Sequence, residues 1–240
     1  MTLTAALLDP LRSGAAAARP LITFYDDATG ERIELSGTTT ANWTAKTANL
    51  LHDECDVEPG ARVALLLPAH WQTAAVLLGA WSCGAEIVAT PTEAEWVLCD
   101  ADRIDLALAA APPGGVLALS LDAFGKGVPG LPSGVIDFAT EVRLHGDEFV
   151  SWEPIPDSTP ALAGATVADV LTDARARAAA LGLTASDRVL STLEWSSSDG
   201  LGNGLLAVLA AGASLVQVSN PTADAMERRA AAERTTVRLG

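Results

Sequence analysis

The sequence predicts an α/β protein in which mostly parallel sheets are layered with helices. Short, continuously apolar runs typical of buried strands alternate with segments whose apolar residues recur at helical spacing. A strand–helix–strand pattern occurs twice in similar form, at 58–90 and at 184–218, and units of this kind favour parallel pairing. The 240 residues are 49% apolar, which is enough to bury a core.

The first elements are predicted to be a β-hairpin and a helix. Residues 21–36, LITFYDDATGERIELS, place two β-prone runs around an Asp/Gly turn. Thr40 or Asn42 is then expected to cap a helix that continues to about Glu54. One face of this helix would carry Trp43, Thr47, Leu50 and Leu51.

A strand–helix–strand unit follows. Residues 61–68, ARVALLLP, form an apolar run that ends in a proline, as expected of a buried parallel strand. Residues 70–84 have helical spacing, and Gly84 is expected to end the helix before the next strand, AEIVAT. The alternation then continues with the strand EWVLCD, a helix from about Ala101 and the strand GVLALSL.

Proline and glycine divide the chain. The stretches 112–115 and 126–134 are predicted connectors. Residues 153–160, EPIPDSTP, contain three prolines and are the predicted boundary inside one domain of residues 1–240. The expected subdomains span approximately 20–152 and 161–240.

The second half resembles the first. Arg62-Val63 corresponds to Arg188-Val189, and Gly84-Ala85 corresponds to Gly212-Ala213, with a helix rich in small residues between each pair of landmarks. This correspondence predicts two similar βαβ-type halves, either by duplication or by chance similarity of two such units.

Composition excludes several function classes. The net charge of −15 and the presence of only two lysines, Lys46 and Lys126, argue against a nucleic-acid partner, because a phosphate backbone would be repelled. No apolar run reaches the ~18 residues that span a bilayer, and the N-terminus is a poor signal peptide. We therefore expect a cytoplasmic protein with no membrane partner.

Metal binding is not expected. Cys55, Cys83 and Cys99 form no C-x-x-C pair, and the three histidines share no ligand spacing with them. Buried, reduced thiols are the prediction.

Two stretches carry a family resemblance. Residues 44–101 contain a helix, Pro-Gly-x-Arg-Val, a strand, a helix and Gly-Ala, and residues 181–218 contain LGLTASDRVL and a second such unit. Together they resemble the N-terminal domain of the adenylate-forming superfamily of acyl-CoA synthetases, luciferases and peptide-synthetase adenylation domains. More narrowly, the chain looks like a short, uncharacterised actinobacterial family related to AMP-binding enzymes. The resemblance implies that fold, in truncated form, and raises ATP, AMP or CoA as ligands.

The phosphate-binding motif of that superfamily is not found in this sequence. The superfamily's phosphate loop is rich in Ser, Thr and Gly and ends in Pro-Lys-Gly, and the resemblance places it near 157–164, DSTPALAG. Ala161 and Leu162 stand where Lys-Gly would be, and a phosphate cradle needs inward N–H groups and usually a cation. The Tyr-Gly-x-Thr-Glu segment, the ribose-binding aspartate motif and the C-terminal subdomain with its catalytic lysine are not found either. No cofactor is therefore expected.

A second Ser/Thr/Gly stretch lies too early to be that loop. Residues 36–40, Ser-Gly-Thr-Thr-Thr, precede the expected place by about 120 residues and lead from the hairpin into a helix. A turn followed by a helix cap explains their composition.

The candidate ligand-binding segment is 194–204, EWSSSDGLGNG, which joins the carboxyl end of a strand to a helix, where open α/β sheets bind ligands. The alternative is that a serine or Asp199 caps the helix and that Gly202 and Gly204 permit close packing. The equivalent loop of the first half contributes His70 and Trp71, with a surface or capping role as the alternative. The candidate ligand-binding residues are Trp195, Ser196, Ser197, Ser198, Asp199, His70 and Trp71.

No catalytic set is predicted, because G-x-S-x-G is absent and no pattern pairs a serine with a histidine. We expect a non-catalytic relative of the family that binds a small molecule or a protein, with a homodimer as one form. The rival is a nucleotide-, acyl- or CoA-binding enzyme component that needs a partner chain. A purely structural interaction domain is the third class.

Overall fold

The computed structural model describes residues 1–151 and 153–240, so Trp152, the last residue of the first predicted subdomain, lies outside the described residues. The strands are β1 Pro20–Asp26, β2 Glu31–Ser36, β3 Arg62–Leu66, β4 Glu86–Val88, β5 Trp96–Asp100, β6 Gly115–Leu119, β7 Val135–Asp137, β8 Pro160–Leu162, β9 Ala165–Thr166, β10 Arg188–Ser191, β11 Ser214–Ser219 and β12 Val237–Leu239. The α-helices are α1 Leu3–Leu8, α2 Gly37–Asp53, α3 Trp71–Cys83, α4 Ile104–Ala109, α5 Phe138–Glu141, α6 Val167–Ala180, α7 Ser198–Leu201, α8 Ala207–Ala210 and α9 Ala223–Glu233. The predicted α/β class is confirmed.

The chain forms two compact units that are interleaved along the sequence. Unit 1 contains Met1–Ala5, Asn42–Leu67 and Ala75–Val170. Unit 2 contains Ala6–Ala41, Pro68–Ala74 and Leu171–Gly240. The subdomain boundary at 153–160 stays a prediction.

Unit 1 holds a sheet with the strand order β7-β6-β5-β3-β4-β8-β9. Neighbouring strands are parallel except for the antiparallel β8–β9 hairpin. The predicted buried parallel strand at 61–68 is therefore confirmed. One face of the sheet packs on α4 through a core of small and branched side chains that includes Val97, Ile104 and Val116.

Unit 2 holds a sheet with the strand order β12-β10-β11-β1-β2. Its β1–β2 pair is the predicted hairpin at 21–36, and the remaining neighbours are parallel. The hairpin joins this sheet because β1 pairs with β11, which lies almost 200 residues later in the chain. Leu190, Val216 and Val218 form a core on which Met226 of α9 packs.

A cluster of charged side chains ties α9 to the unit 2 sheet. Glu233, at the end of α9, accepts hydrogen bonds from the Tyr25 hydroxyl at 2.5 Å, from Arg188 at 2.5 Å and from Arg32 at 3.0 Å. Burial acts to raise the pKa of Glu233, but these hydrogen bonds outweigh it and lower the pKa to about 2. The cluster therefore favours the ionised carboxylate.

The start of α2 differs from the prediction. The helix begins at Gly37 rather than after Thr40 or Asn42, because Ser36 is the capping residue: its Oγ accepts the Thr39 N–H at 3.1 Å. A Cβ on residue 37 would overlap the Leu11 carbonyl, so glycine is required there. The stretch 36–40 is thus the turn and helix cap that its composition indicates.

The two predicted strand–helix–strand units are confirmed as similar. In the first, Gly84 ends the helix with φ +80°, and the Ala85 N–H bonds back to the Ala80 carbonyl. In the second, Gly212 has φ +73°, and the Ala213 N–H bonds back to the Val208 carbonyl. Both ends have the hydrogen bond of a Schellman motif, which requires the left-handed conformation that glycine adopts readily.

The second unit differs from the first inside its helix. Between α7 and α8, residues Gly202–Leu206 form a π-helical stretch that accommodates one extra residue. This insertion accounts for part of the longer spacing between Arg188 and Gly212 than between Arg62 and Gly84.

Within residues 1–151 and 153–240, none of the helices combines the length and the apolar character that a bilayer-spanning helix needs.

Candidate functional site

Both predicted ligand-binding segments lie in unit 2, at the carboxyl edge of its sheet. The Gln217 Nε2 of β11 donates to the Leu193 carbonyl at 3.2 Å, just before the segment 194–204. The Ser219 Oγ of β11 donates to the Ala69 carbonyl at 3.4 Å, next to His70. Because residues two apart on a strand point to the same face, both loops meet β11 on one face, at the sheet edge where ligands commonly bind in such folds.

Two buried polar atoms at this edge have no hydrogen-bond partner among the described residues. Trp195 is 6% exposed, and its indole Nε1 finds no acceptor within the part of the chain that the structure describes. Gln217 is fully buried, and its Oε1 likewise finds no donor there. Each unsatisfied group costs about 1–3 kcal/mol. A ligand that offered an acceptor to Trp195 and a donor to Gln217 would recover that free energy.

Gln217 was not among the predicted site residues. Its only sequence signal is a polar side chain inside the otherwise apolar run ASLVQV. A polar residue in a buried strand is the pattern that could have identified it.

The serines and aspartate of the segment lie at its surface. The Ser197 Oγ accepts the Gly200 N–H at 3.1 Å and caps α7, which is the capping alternative recognised in the sequence. Ser196 and Ser198 are exposed. The Asp199 side chain is 82% exposed and accepts a hydrogen bond from Arg177 at 3.0 Å. These side chains are therefore exposed directly after the buried Trp195, and their role in binding stays a prediction.

Arg177 of α6 is a second residue that the sequence did not single out. Its guanidinium contacts Asp173 at 2.6 Å, Asp199 at 3.0 Å and the Asn203 amide oxygen at 3.3 Å. The hydrogen bond that Arg177 donates to the Asp173 carboxylate is the main cause that raises the pKa of Arg177. Its only sequence signal was the Asp–Arg spacing of four residues on a helix.

The glycines of the segment are explained by close packing. A Cβ on Gly202 would lie 2.9 Å from the Arg177 Nε, and a Cβ on Gly204 would lie 3.0 Å from the Trp195 Nε1. A Cβ on Gly200 would overlap the Glu194 carbonyl. The Trp195 ring thus rests directly on the helix backbone.

His70 and Trp71 are buried rather than exposed at the strand end. His70 is 3% exposed, and its Nδ1 accepts the Gln72 N–H at 3.1 Å at the start of α3. Its ring meets Phe24 edge-on, with centroids 4.3 Å apart, and lies 5.6 Å from the Trp71 ring. Burial lowers the pKa of His70 more than the nearby carboxylate of Glu31 raises it.

The place that the resemblance assigns to a phosphate loop is a tight hairpin turn in unit 1. β8 and β9 are joined by Ala163 and Gly164 alone, with φ +47° and +84°, the conformation of a two-residue turn. The Ala163 N–H bonds to the Ile87 carbonyl at 2.9 Å, and the Gly164 N–H bonds to the Glu86 carboxylate at 2.7 Å. Both turn N–H groups are therefore already used by the chain itself.

The lysines and cysteines take no part in the candidate site. The Lys46 Nζ donates to the His145 carbonyl at 2.5 Å and pairs with Asp147 at 3.0 Å, all within unit 1, and Lys126 is exposed. Cys55, Cys83 and Cys99 are buried and unpaired, and burial raises the pKa of each thiol to about 12. In the two described stretches of the chain, no group of three His, Cys, Asp or Glu side chains is arranged to hold a metal ion.

Comparison with known proteins supports the fold and identifies a relative. A protein of Mycobacterium tuberculosis (strain ATCC 25618 / H37Rv), described as a TIGR03089 family protein, is 55% identical over 239 residues, which cover 98% of this chain and 97% of that protein. No family model matches the chain.

Among solved structures, the chain superposes on an acyl-CoA synthetase of Brucella canis with a TM-score of 0.79 and 19% identity. It superposes on a benzoate CoA ligase of Burkholderia xenovorans LB400 with 0.76 and 19%, and on the acetoacetyl-CoA synthetase of Streptomyces lividans with 0.79 and 17%. The whole chain is covered in each case, together with 47%, 50% and 42% of the respective structures. The chain thus spans about half the length of these structures and has the fold of their N-terminal domain.

Proposed function

We propose, from the premise that this chain belongs to the TIGR03089 family, that it binds a small organic molecule at the carboxyl edge of the unit 2 sheet and does not form an acyl-adenylate. The fold is shared with the N-terminal domain of acyl-CoA synthetases.

The observation that carries the proposal is the turn at Ala163 and Gly164. A phosphate cradle presents several free N–H groups to the anion. Here the turn has two residues, and its N–H groups are bonded to the Ile87 carbonyl and the Glu86 carboxylate. A triphosphate at this turn would compete with a carboxylate that is already bound and carries the same sign of charge.

The surrounding charges support the same conclusion. Asp169 lies in the first turn of α6, directly after the hairpin, and accepts the Thr166 N–H at 3.1 Å. Phosphoryl transfer needs cations and positioned donors around the phosphates. Lys46 is bound to a backbone carbonyl and to Asp147, which leaves it poorly suited to that role.

The binding half of the proposal rests on Trp195 and Gln217. Their unsatisfied indole N–H and amide oxygen are a donor and an acceptor in a buried setting, where a matching ligand gains most. The Trp195 ring adds an aromatic surface, and Ser196, Ser198 and Asp199 would contact the polar end of a ligand at the rim. We expect a ligand of acyl or aromatic character with one acceptor and one donor.

Two measurements test the proposal. ATP–pyrophosphate exchange with a panel of carboxylic acids that includes benzoate and acetoacetate should give no signal above the no-protein control. Titration calorimetry with the same acids, AMP and CoA should identify a ligand whose affinity falls about 5- to 10-fold in Trp195→Phe, because one neutral hydrogen bond is lost while an aromatic ring, the phenyl group, is kept. Ser186→Ala, an exposed change in the same unit, is the matched control and should leave the affinity unchanged.

Exchange activity of the isolated chain would contradict the first half of the proposal. Equal affinity in wild type and Trp195→Phe would contradict the second half.

The rival function is an enzyme component completed by a partner chain. It is favoured by one observation, namely that the chain corresponds to only about half of the solved ligases. It predicts that exchange activity appears when the partner is added to this chain. The homodimer and the cytoplasmic location stay predictions, and light scattering after size-exclusion chromatography tests the first of them.

A further inference from the structure

His70 is the N-terminal cap of α3. Its backbone carbonyl accepts the Ala74 N–H at 3.0 Å, the first hydrogen bond of the helix. Its side-chain Nδ1 accepts the N–H of Gln72, the second residue of the helix, at 3.1 Å. Ser, Thr, Asp and Asn usually supply this acceptor, and none of them can lose it by protonation near neutral pH.

The cap fixes the protonation of the ring. Since Nδ1 accepts a hydrogen bond, the neutral imidazole carries its proton on Nε2. Nε2 faces the Glu31 Oε1 at 3.8 Å, which is too long for a hydrogen bond. Both atoms are buried, and within residues 1–151 and 153–240 neither has a hydrogen-bond partner.

We propose that His70 is a pH-sensitive cap of α3. When the ring takes up a proton, it loses the hydrogen bond from the Gln72 N–H and forms one to the Glu31 carboxylate. In the protonated ring both nitrogens are donors, so Nδ1 can no longer accept the Gln72 N–H. The positive charge would also stand at the positive end of the helix dipole. The nearby carboxylate offers the protonated ring a charge-assisted hydrogen bond once the 3.8 Å gap closes.

The groups around the ring determine whether the pKa of His70 is raised or lowered. Glu31 on β2 and Asp26 on β1 raise the pKa of His70, while burial against Phe24 and Trp71 lowers it and prevails. His70 is therefore neutral and the cap is formed at pH 7. Because the pKa of His70 lies below the ordinary 6.5, the ring takes up a proton from solvent and the cap breaks only when the pH falls to that lowered pKa.

The switch requires neither the proposed ligand nor the proposed absence of ATP binding. It concerns the connection between the β1–β2 hairpin and the loop Pro68–His70, all within unit 2. That loop is one of the two that meet β11 at the sheet edge, so the switch would change the edge at which we place the ligand.

The test is a nuclear magnetic resonance titration of the intact chain from pH 8 to pH 5. Imidazole 15N shifts at pH 8 should report a neutral His70 ring protonated on Nε2. The hydrogen-exchange protection factor of the Gln72 amide, corrected for intrinsic exchange at each pH, should fall about fivefold as the ring titrates, because one helix cap is lost. His70→Asn keeps a capping side chain that does not titrate and should abolish the fall. His52→Asn is the control histidine and should retain it.

Glu31→Gln provides a second variant that does not remove the cap. It should move the His70 midpoint to lower pH, because the carboxylate that favours the charged ring is gone. The inference is overturned by a ring protonated on Nδ1 at pH 8, by Gln72 protection that stays constant while His70 titrates, or by an unchanged midpoint in Glu31→Gln.

Discussion

Replacing Gln217 by leucine separates a binding role from a structural role. Gln217 is fully buried on β11, and leucine has a similar volume, so the substitution leaves no large cavity. The change removes the hydrogen bond to the Leu193 carbonyl, worth about 1 kcal/mol with a further penalty if that carbonyl stays unpaired. It also removes the unsatisfied Oε1, whose burial costs about 1–3 kcal/mol. The two effects oppose each other, so the free energy of unfolding should stay within about 1 kcal/mol of wild type.

Thr23→Val is the matched control for this substitution. Thr23 is a fully buried polar residue on β1 of the same sheet, and its Oγ1 accepts a hydrogen bond from Arg188 at 2.9 Å. Its replacement leaves a charged donor without that acceptor, and the expected loss is about 1.5–3 kcal/mol. Urea unfolding followed by tryptophan fluorescence and circular dichroism measures both variants. A Gln217→Leu loss as large as that of Thr23→Val, with an unchanged m-value, would refute the claim that Gln217 is kept for a ligand.

Three further predictions concern the cap, the charged cluster and the tight turn. Because burial lowers the pKa of His70 below the ordinary 6.5, the unfolded chain takes up the proton before the folded chain does. The stabilising contribution of the neutral His70 ring is therefore fully present above pH 6.5 and decreases as the pH falls. Thermal melts of His70→Asn should lack this decrease. The pKa of Glu233 is lowered from 4.5 to about 2, so the contribution of this carboxylate to stability is present above pH 4.5 and is lost on acidification towards pH 2. Glu233→Gln should lower the free energy of unfolding in urea at pH 7 by about 2–3 kcal/mol, because Arg188 loses a buried, charged partner. Ala163 holds the left-handed conformation with φ +47°, so Ala163→Gly should stabilise the chain by about 1 kcal/mol, measured as a rise in the urea midpoint.

Each of these predictions has its own control. For His70, Ser186→Ala, an exposed change in the same unit, should keep the wild-type slope between pH 6.5 and pH 5. For Glu233, Glu227→Gln removes an exposed pair with Arg238 and should change stability little. For Ala163, Ala163→Val should destabilise, because a β-branched residue is disfavoured at positive φ. A stabilising Ala163→Val would show that the turn is not constrained as described.

Local sequence signals were sufficient to predict the two strand–helix–strand units and the first hairpin. The glycine at 84 and the glycine at 212 each end a helix at positive φ, and both strand–helix–strand units follow from that spacing. The hairpin at 21–36 follows from its Asp/Gly turn in the same way. The start of α2 was misplaced because three threonines and Asn42 all resemble caps, whereas the deciding contact, Gly37 against the Leu11 carbonyl, joins distant parts of the chain.

The candidate site was only partly accessible from the sequence. The segment 194–204 was recognised by its position at a strand end, and Ser197 acts there as a cap. Gln217, Arg177 and Glu31 were missed because each acquires its role through a partner more than 20 residues away. The pairing of β1 with β11 is also non-local, and hydrophobic periodicity carries no information about which strands become neighbours.

We propose that this chain does not bind a triphosphate, and titration calorimetry of the chain with MgATP is the test of that proposal. We predict no binding heat at nucleotide concentrations up to about 1 mM, the upper end of the range in which enzymes commonly saturate. In the same experiment Glu86→Gln should also fail to bind, because the two-residue turn remains after the competing charge is removed. Saturable binding of MgATP by the wild-type chain, accompanied by shifts of the Ala163 and Gly164 amide resonances, would contradict the account.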